Sequence, residues 1–396
     1  MAASPQALGL DPAALEALFS RAEKEVEQRL LPSMQIAVAR HGKIAAARTI
    51  GSVTCEGRPA TPTDDTLYVI FSCTKAIVST AAWLLIEDGS LDIDLRVADL
   101  IPEFGTNGKH VVTVEQLFTH TCGFPYAPFG ARDWDDHQMR RARFGSWRLS
   151  WEPGTRFEYH PTASMWVIAE LIERAAGMSF RDFIRTRIAL PLGLDDLWLG
   201  LPAAEQPRLA DVAHVGEPPS DDELRALGFP TAIPREVAEE ALQNFNVAAV
   251  RAVGIPGGGG TTSARTLALF YQALLGTLRT ADGRPLLEPT TMDMARCVRT
   301  GALCDPIFGK RANRGLGIVV AGDADRIFRG FGHGGSAAAF GHNGAGGQLA
   351  WADPDSGVSF VYLTNGCDRH PVRQARRGVA LNSLAATVAQ TARPIA

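Results

Sequence analysis

The chain has 396 residues, of which 46% are hydrophobic and 21% charged, a balance that permits a sizeable core and argues against a disordered, collagen-like or coiled-coil chain. Lys and Arg number 39 against 43 Asp and Glu, a net charge of -4 that leaves no positive surplus to hold a polyanion, so no nucleic acid is expected as a partner. No apolar run approaches the ~18 residues of a membrane span, and Met1 to Leu10 lack the basic start and apolar stretch of a secretory signal, so cytoplasmic residence is expected.

Residues 11–30 carry Leu15, Leu18, Phe19, Ala22 and Val26 at helical spacing, with Asp11 as candidate cap. MQIAVARHG and KIAAARTIG follow as a β-hairpin turned at His41-Gly42, a pair that is not an ideal turn sequence. From Lys75 to about Leu275 helical patterns dominate: KAIVSTAAWLLIEDG, TVEQLFTH, SMWVIAELIERAAG, SFRDFIRTRIA and ARTLALFYQALLG, each closed by glycine or polar residues. GQLAWADP and GVSFVYLTN form a second hairpin around Asp353-Pro354-Asp355-Ser356-Gly357, and the stretch 371–391 reads as a last helix. This order predicts an α+β fold: one antiparallel sheet assembled from both chain ends, flanked by N- and C-terminal helices, with a large mostly helical region inserted. The sheet region takes about 1–70 and 315–396, the helical region about 71–314, and 1–396 is read as a single unit.

The six cysteines (Cys55, Cys73, Cys122, Cys297, Cys304, Cys367) form no C-x-x-C pair and read as reduced thiols. The nine histidines form no H-E-x-x-H, and His110 and His120 lack partners at ligand spacing, so neither a metal nor another cofactor is expected. Gly257 to Gly260 lack the G-K-[ST] of a phosphate loop and read as a turn or a close backbone approach. The chain also has no G-x-S-x-G nucleophile elbow.

The chemistry begins at Ser72-Cys73-Thr74-Lys75, directly after the strand-like LYVIF and at the opening of an apolar helix. Positions i and i+3 share a helix face, so the Lys75 amine stands beside the Ser72 hydroxyl. The positive end of the helix dipole favours an alkoxide on Ser72 and a neutral amine on Lys75. Serine needs such activation to act as a nucleophile. Of the five lysines, only Lys75 has a serine three residues before it. S-x-x-K is the nucleophile motif of β-lactamases and penicillin-binding proteins.

The surrounding text, FSCTKAIVSTAAWLLIEDGSLDIDLRVADLIPEF, resembles the S-x-x-K block of class C β-lactamases and their relatives, the family VIII carboxylesterases. TVEQLFTHTCGF resembles the segment that ends in His-Thr-Ser-Gly, EPGTRFEYHPTASMWVIAELIERAAG the tyrosine block, and PLGLDDLWLGLP the Pro-Leu-Gly turn. AVGIPGGGGTTSARTLALFYQALLG and FGHNGAGGQLAWADP resemble the two remaining blocks. The blocks run in order over residues 65–365, while the N-terminal helix and residues 205–250 match only loosely.

The resemblance implies a β-lactamase/transpeptidase-like fold with Ser72 as acylated nucleophile, Lys75 as its electrostatic partner and Tyr159 as general base. A phenol has an ordinary pKa of about 10, so Tyr159 acts as a base at neutral pH only if a nearby cation such as Lys75 stabilises its phenolate; the bland alternative is an aromatic packed at a helix entrance. His342-Asn343-Gly344 stands where the lactamase has Lys-Thr-Gly on an inner strand. There the backbone N–H groups of Ser72 and Ala345 would face the developing oxyanion, and His342, Asn343 and Gly344 would contact substrate. The near-copy at His333 is given a structural or loop role. Within the aromatic-rich stretch from Phe124 to Trp166, Tyr126 and Trp166 are candidates for lining an acyl pocket, with packing beneath a long loop as the alternative.

Three departures point away from lactam chemistry. Tyr159-His160-Pro161 replaces Tyr-x-Asn, His342 replaces the lysine that would attract a lactam carboxylate, and no export signal is recognised. The expected activity is serine carboxylesterase, acting on a small-molecule ester through an acyl-enzyme. An acyltransferase using the same intermediate, a β-lactamase or amidase/peptidase, and a non-catalytic ligand-binding member of the fold remain as alternatives.

Overall fold

The computed structural model describes residues 4–228, 231 and 235–389. Helix α1 (Pro12–Glu27) starts where Asp11 Oδ1 accepts from Ala13 N at 2.8 Å, satisfying one of the orphan donors of the first turn. Strands β1 (Ser33–Arg40) and β2 (Lys43–Gly51) make the first hairpin. Its two turn residues, His41 at φ 54° and Gly42 at φ 72°, are both left-handed, as a tight two-residue hairpin loop requires, so the histidine adopts what the sequence reading counted against it. Glycine is required at the second position, because a Cβ on Gly42 would lie 2.5 Å from the Thr277 carbonyl oxygen.

The helical region holds α2 (Thr74–Glu87), α3 (Ala163–Ala176) and α4 (Ala264–Leu274), joined by short helices and loops. Helix α2 is apolar nearly all round, from Ala76 to Trp83 and Leu85, and is accordingly buried among its neighbours. LYVIF yields only a two-residue strand, Tyr68–Val69, paired with Gly260–Thr262, because the chain turns into the nucleophile segment at Ile70. SFRDFIRTRIA is α-helical only to Ile184 and widens into a π turn over Arg185–Ala189.

The chain then returns to the sheet through β3 (Val319–Val320), β4 (Phe340–Gly344), β5 (Gln348–Asp353) and β6 (Val358–Leu363), ending in helix α5 (Pro371–Ala385). The strand order is β3-β4-β5-β6-β1-β2, antiparallel throughout, with Gln35 opposite Leu363 and Ala39 opposite Ser359. Both faces are covered. Met34, Ile36, Val38, Trp351, Phe360 and Tyr362 pack beneath α1 and α5, while Ala37, Ala39, Ala350, Val361 and Leu363 face α4 and the helical region. Each large side chain so buried contributes about 1.5–3 kcal/mol.

Helices α1 and α5 are clamped by Arg377, which is 2% exposed and pairs with Glu25 at 2.7 Å and Asp368 at 2.9 Å. Helix α5 ends before the sequence reading has it end, because the chain turns back and Ala389 bridges Leu10; residues 390 and 391 of that reading lie outside the described residues. Among the described residues no helix is long and apolar enough to cross a membrane.

Candidate active site

Ser72 sits in a 3-10 turn, Phe71–Cys73, that runs straight into α2. The preceding Phe71 has φ 44°, a left-handed backbone that is strained for an aromatic residue by about 1–3 kcal/mol. It is held by an edge contact with Phe245 at 5.3 Å and by the hydrogen bond from Ile70 N to Gly260 O at 2.9 Å. The turn leaves Ser72 partly exposed while Cys73, Thr74 and Lys75 are buried. The glycine run serves close approach here: Gly260 N donates to Thr74 Oγ1 at 2.9 Å, and a Cβ on Gly257 would lie 2.7 Å from Pro161 O.

Two side chains converge on the Ser72 hydroxyl. Tyr159, just ahead of α3, donates to Ser72 Oγ at 2.8 Å, and Lys75 Nζ donates to it at 3.3 Å. Lys75 also donates to Pro161 O at 2.7 Å and Gly257 O at 2.8 Å, so the nitrogen is fixed among three oxygen atoms. It lies 4.9 Å from the Tyr159 ring centroid. Burial, and after it the charge of Arg314, lowers the Lys75 ammonium well below its ordinary value. Burial likewise pushes the Tyr159 phenol up to about 12, although the Ser72 hydrogen bond and Arg314 pull the other way. The resting phenol is therefore a donor to the nucleophile, and Lys75 alone does not make a phenolate of it.

Strand β4 closes the site from the sheet side. Cys73 Sγ donates to His342 O at 3.0 Å, and Gly344 approaches so closely that a Cβ would sit 2.5 Å from Ile70 O. Side chains alternate along a strand, so His342 and Gly344 share the face toward Ser72. Asn343 takes the opposite face, where its amide packs on Gly330 and a Cβ at that glycine would fall 1.4 Å from Nδ2. The Asn343 side chain therefore points away from Ser72. Ala345 follows where the strand ends.

Trp166 is 1% exposed, stacked on Phe129 at 4.6 Å and against Trp134 at 4.9 Å, within the core. Tyr126 is 43% exposed and lines a cavity of about 290 Å³ with Phe124, Pro128 and Trp147, a cavity that Ser72, Lys75 and Tyr159 do not line. Burial and the neighbouring Glu158 charge push its phenol up to about 12. His333 is exposed in a loop, its backbone N donating to Ser383 Oγ at 3.0 Å.

Three residues not singled out for the site surround Tyr159. His120, itself left-handed at φ 58°, sets its ring at a tilt against Tyr159 at 4.8 Å and accepts from His160 N at 3.3 Å through Nδ1. His160 Nδ1 donates to Glu158 O at 2.7 Å, leaving Nε2 to accept from Phe124 N at 3.2 Å; burial takes its pKa down to about 3. Arg314 lies 5.3 Å over the Tyr159 ring and 5.4 Å over Phe157, and its Nη1 donates to His342 Nε2 at 3.3 Å. His342 in turn donates from Nδ1 to Asn343 O at 2.7 Å. Burial and then Arg314 hold both His120 and His342 well below the ordinary imidazole value, so both rings are neutral. His120 was readable only as the end of a family-like block, and Arg314 lies in an irregular stretch with no periodicity to mark it.

This constellation occurs in a chain whose residues 18–385 match the family model described as beta-lactamase. The chain belongs to the beta-lactamase family. Among its relatives in that family, "Esterase/beta-lactamase LipL" of Mycobacterium tuberculosis is 28% identical over 329 residues, covering 76% of this chain and 70% of LipL. A penicillin-binding protein homolog from Caulobacter crescentus superposes with a TM-score of 0.77 at 28% identity, covering 95% of this chain and 99% of the other. The crystal structure of a family VIII carboxylesterase superposes with a TM-score of 0.75 at 26% identity, covering 95% and 98%.

Proposed function

We propose that this protein is a serine carboxylesterase of the family VIII type, a single catalytic unit that cleaves small-molecule esters through an acyl-enzyme on Ser72. The observation that carries the reading is the convergence of Tyr159 and Lys75 on Ser72 Oγ, at 2.8 and 3.3 Å. In the form of the site that lacks one proton, Ser72 Oγ attacks the ester carbonyl carbon and its proton passes to the Tyr159 oxygen, with Lys75 bridging the two. The carbonyl π electrons move onto oxygen, which the backbone N–H groups of Ser72 and Ala345 receive. Collapse expels the alcohol with the proton held by Tyr159, and water activated by the same oxygen releases the acid.

The likenesses to LipL and to a family VIII carboxylesterase support ester cleavage. Two features weigh against lactams. Pro161 offers only its carbonyl, already bonded to Lys75, where a lactamase presents an asparagine amide. His342 is buried and neutral, so β4 itself presents no charge to a lactam carboxylate. His342, Gly344 and the half-exposed Tyr126 remain the proposed substrate contacts.

Incubation with a fluorophosphonate or an aryl ester followed by intact-mass measurement tests the reading. One adduct on wild type and none on Ser72→Ala is the expected result. Rapid turnover of a chromogenic cephalosporin without action on short aryl esters would reassign the enzyme to lactams. Transfer to an added alcohol in preference to water would make it an acyltransferase, and absence of any adduct would leave a binding protein.

A further inference from the structure

Arg314 differs from the buried arginines that carry ion pairs. Arg140, Arg251 and Arg377 each pair with a carboxylate at 2.5–2.9 Å. Among the described residues no carboxylate lies within ion-pair distance of Arg314; its guanidinium makes a single hydrogen bond, to the neutral His342, and its buried Nε has no partner. Arg314 is partly buried, with its Nε shut off from solvent and unpartnered; that is costly, and arginine cannot shed its proton to escape the cost. Its planar face lies against the Tyr159 ring, on which the Lys75 amine also bears.

We propose that Arg314 is a positioning residue whose permanent charge keeps the Ser72–Lys75–Tyr159 group one proton short at neutral pH. It does the work that a charged side chain at the His342 position would otherwise do, from a neighbouring loop. The proposal rests on the serine-hydrolase reading of the site. A fixed positive charge disfavours an ammonium on Lys75 and favours a phenolate on Tyr159, so both effects remove a proton from the same coupled group. The sign is therefore the same whichever of the two atoms accepts the proton of Ser72. The other groups around Tyr159 do not replace it. His120, His160 and His342 are neutral, Cys73 is a buried thiol whose pKa burial raises, and Asp305 and Glu158 carry the opposite charge.

The test is the pH profile of kcat/KM on a neutral aryl ester for wild type, Arg314→Met and Arg314→Lys, with the rate of fluorophosphonate labelling of Ser72 measured across the same range. In Arg314→Met the acid limb of both profiles moves up by about one pH unit or more, lowering the rate at pH 7 by about tenfold, because a unit of pKa is a tenfold change in the competent form. Arg314→Lys restores most of the shift, and far-UV circular dichroism confirms that each variant is folded. An unmoved acid limb in folded Arg314→Met overturns the proposal. So does an unmoved limb accompanied by a raised KM for a carboxylate-bearing ester alone, which would make Arg314 a substrate-binding group. If neither variant folds, the wild-type profile decides: an acid limb above about pH 9 overturns the proposal and one near or below neutrality supports it. Failure of wild type to label at all is a failure of the hydrolase reading, and is read separately from these outcomes.

Discussion

Replacing Tyr159 by phenylalanine removes one oxygen and little else. The ring keeps its contacts with His120 at 4.8 Å and His342 at 5.8 Å, and remains beneath Lys75 and Arg314. What is lost is the 2.8 Å hydrogen bond to Ser72 Oγ. For stability, the loss of about 1 kcal/mol for a hydrogen bond is offset in part because a phenol no longer has to be buried, so the melting temperature moves by about 2 °C or less. For catalysis, loss of a general base lowers turnover by about 10²–10⁴-fold, equivalent to about 2.7–5.4 kcal/mol of transition-state stabilisation. Stopped-flow acylation by an aryl ester, followed by steady-state release of the acid, separates the two chemical steps. Both slow, since the same oxygen serves both. A Tyr159→Phe enzyme that is folded and retains more than about a tenth of wild-type kcat would refute the role assigned to Tyr159 and transfer the base function to Lys75.

Gly344 has φ -112° and ψ 158°, which any residue tolerates, so Gly344→Ala tests close packing against Ile70 O and the Gln348 side chain rather than backbone strain; overpacking predicts a loss of about 1–3 kcal/mol in urea denaturation and a fall in kcat as β4 is driven off the nucleophile turn. Asn343→Ala, facing away from Ser72, leaves KM for aryl esters within about twofold, and a large rise in KM would restore its place in the site. Arg377→Met removes one of two arginine partners from each of Glu25 and Asp368, which keep Arg21 and Arg373, and lowers unfolding free energy by about 1.5–3 kcal/mol, measured in urea. Burial raises the Asp368 carboxyl, but the bonds from Arg373 and Arg377 outweigh it and hold the net value below the usual carboxylate range. A carboxyl lowered on folding stabilises above its unfolded pKa, so this contribution is complete above about pH 4 and is lost as pH falls through the folded value; Arg377→Met flattens that acid dependence in melts taken from pH 5 downward.

Much of the scaffold was legible because it obeys short-range rules. The α1 face, both hairpins and the Ser72–Lys75 spacing are set by neighbours within a few residues, and each is found close to where periodicity and turn chemistry place it. The joining of β1 to β6 was also foreseeable, since two hairpins at opposite ends of a chain need a common sheet. Side-chain direction was harder. The pattern His342-Asn343-Gly344 reads as one contact surface, but alternate strand residues face opposite ways, and the Asn343 side chain lies away from Ser72. Trp166 is buried on Phe129, a placement sequence does not reveal, because an aromatic on an apolar helix has the same pattern whether it lines a pocket or fills a core. Arg314 was missed for a different reason: its importance is the absence of a carboxylate beside it, and sequence does not record which charges remain unpaired after folding.

The sheet that supports the nucleophile is completed late. Helix α1 covers Met34, Ile36 and Val38 on one side of β1, but Ala37 and Ala39 on the other wait for α4, and the open edge of β1 waits for β6. During synthesis the N-terminal hairpin therefore leaves the ribosome with one face and one strand edge uncovered, and that edge waits for nearly the whole polypeptide before it finds its neighbour. Such long-range closure slows folding and leaves a nascent chain open to aggregation. Removing the last helix and strand should yield insoluble material rather than a smaller enzyme, and a circular permutant that joins the two termini and opens a distant surface loop would bring β1 and β6 together early in translation.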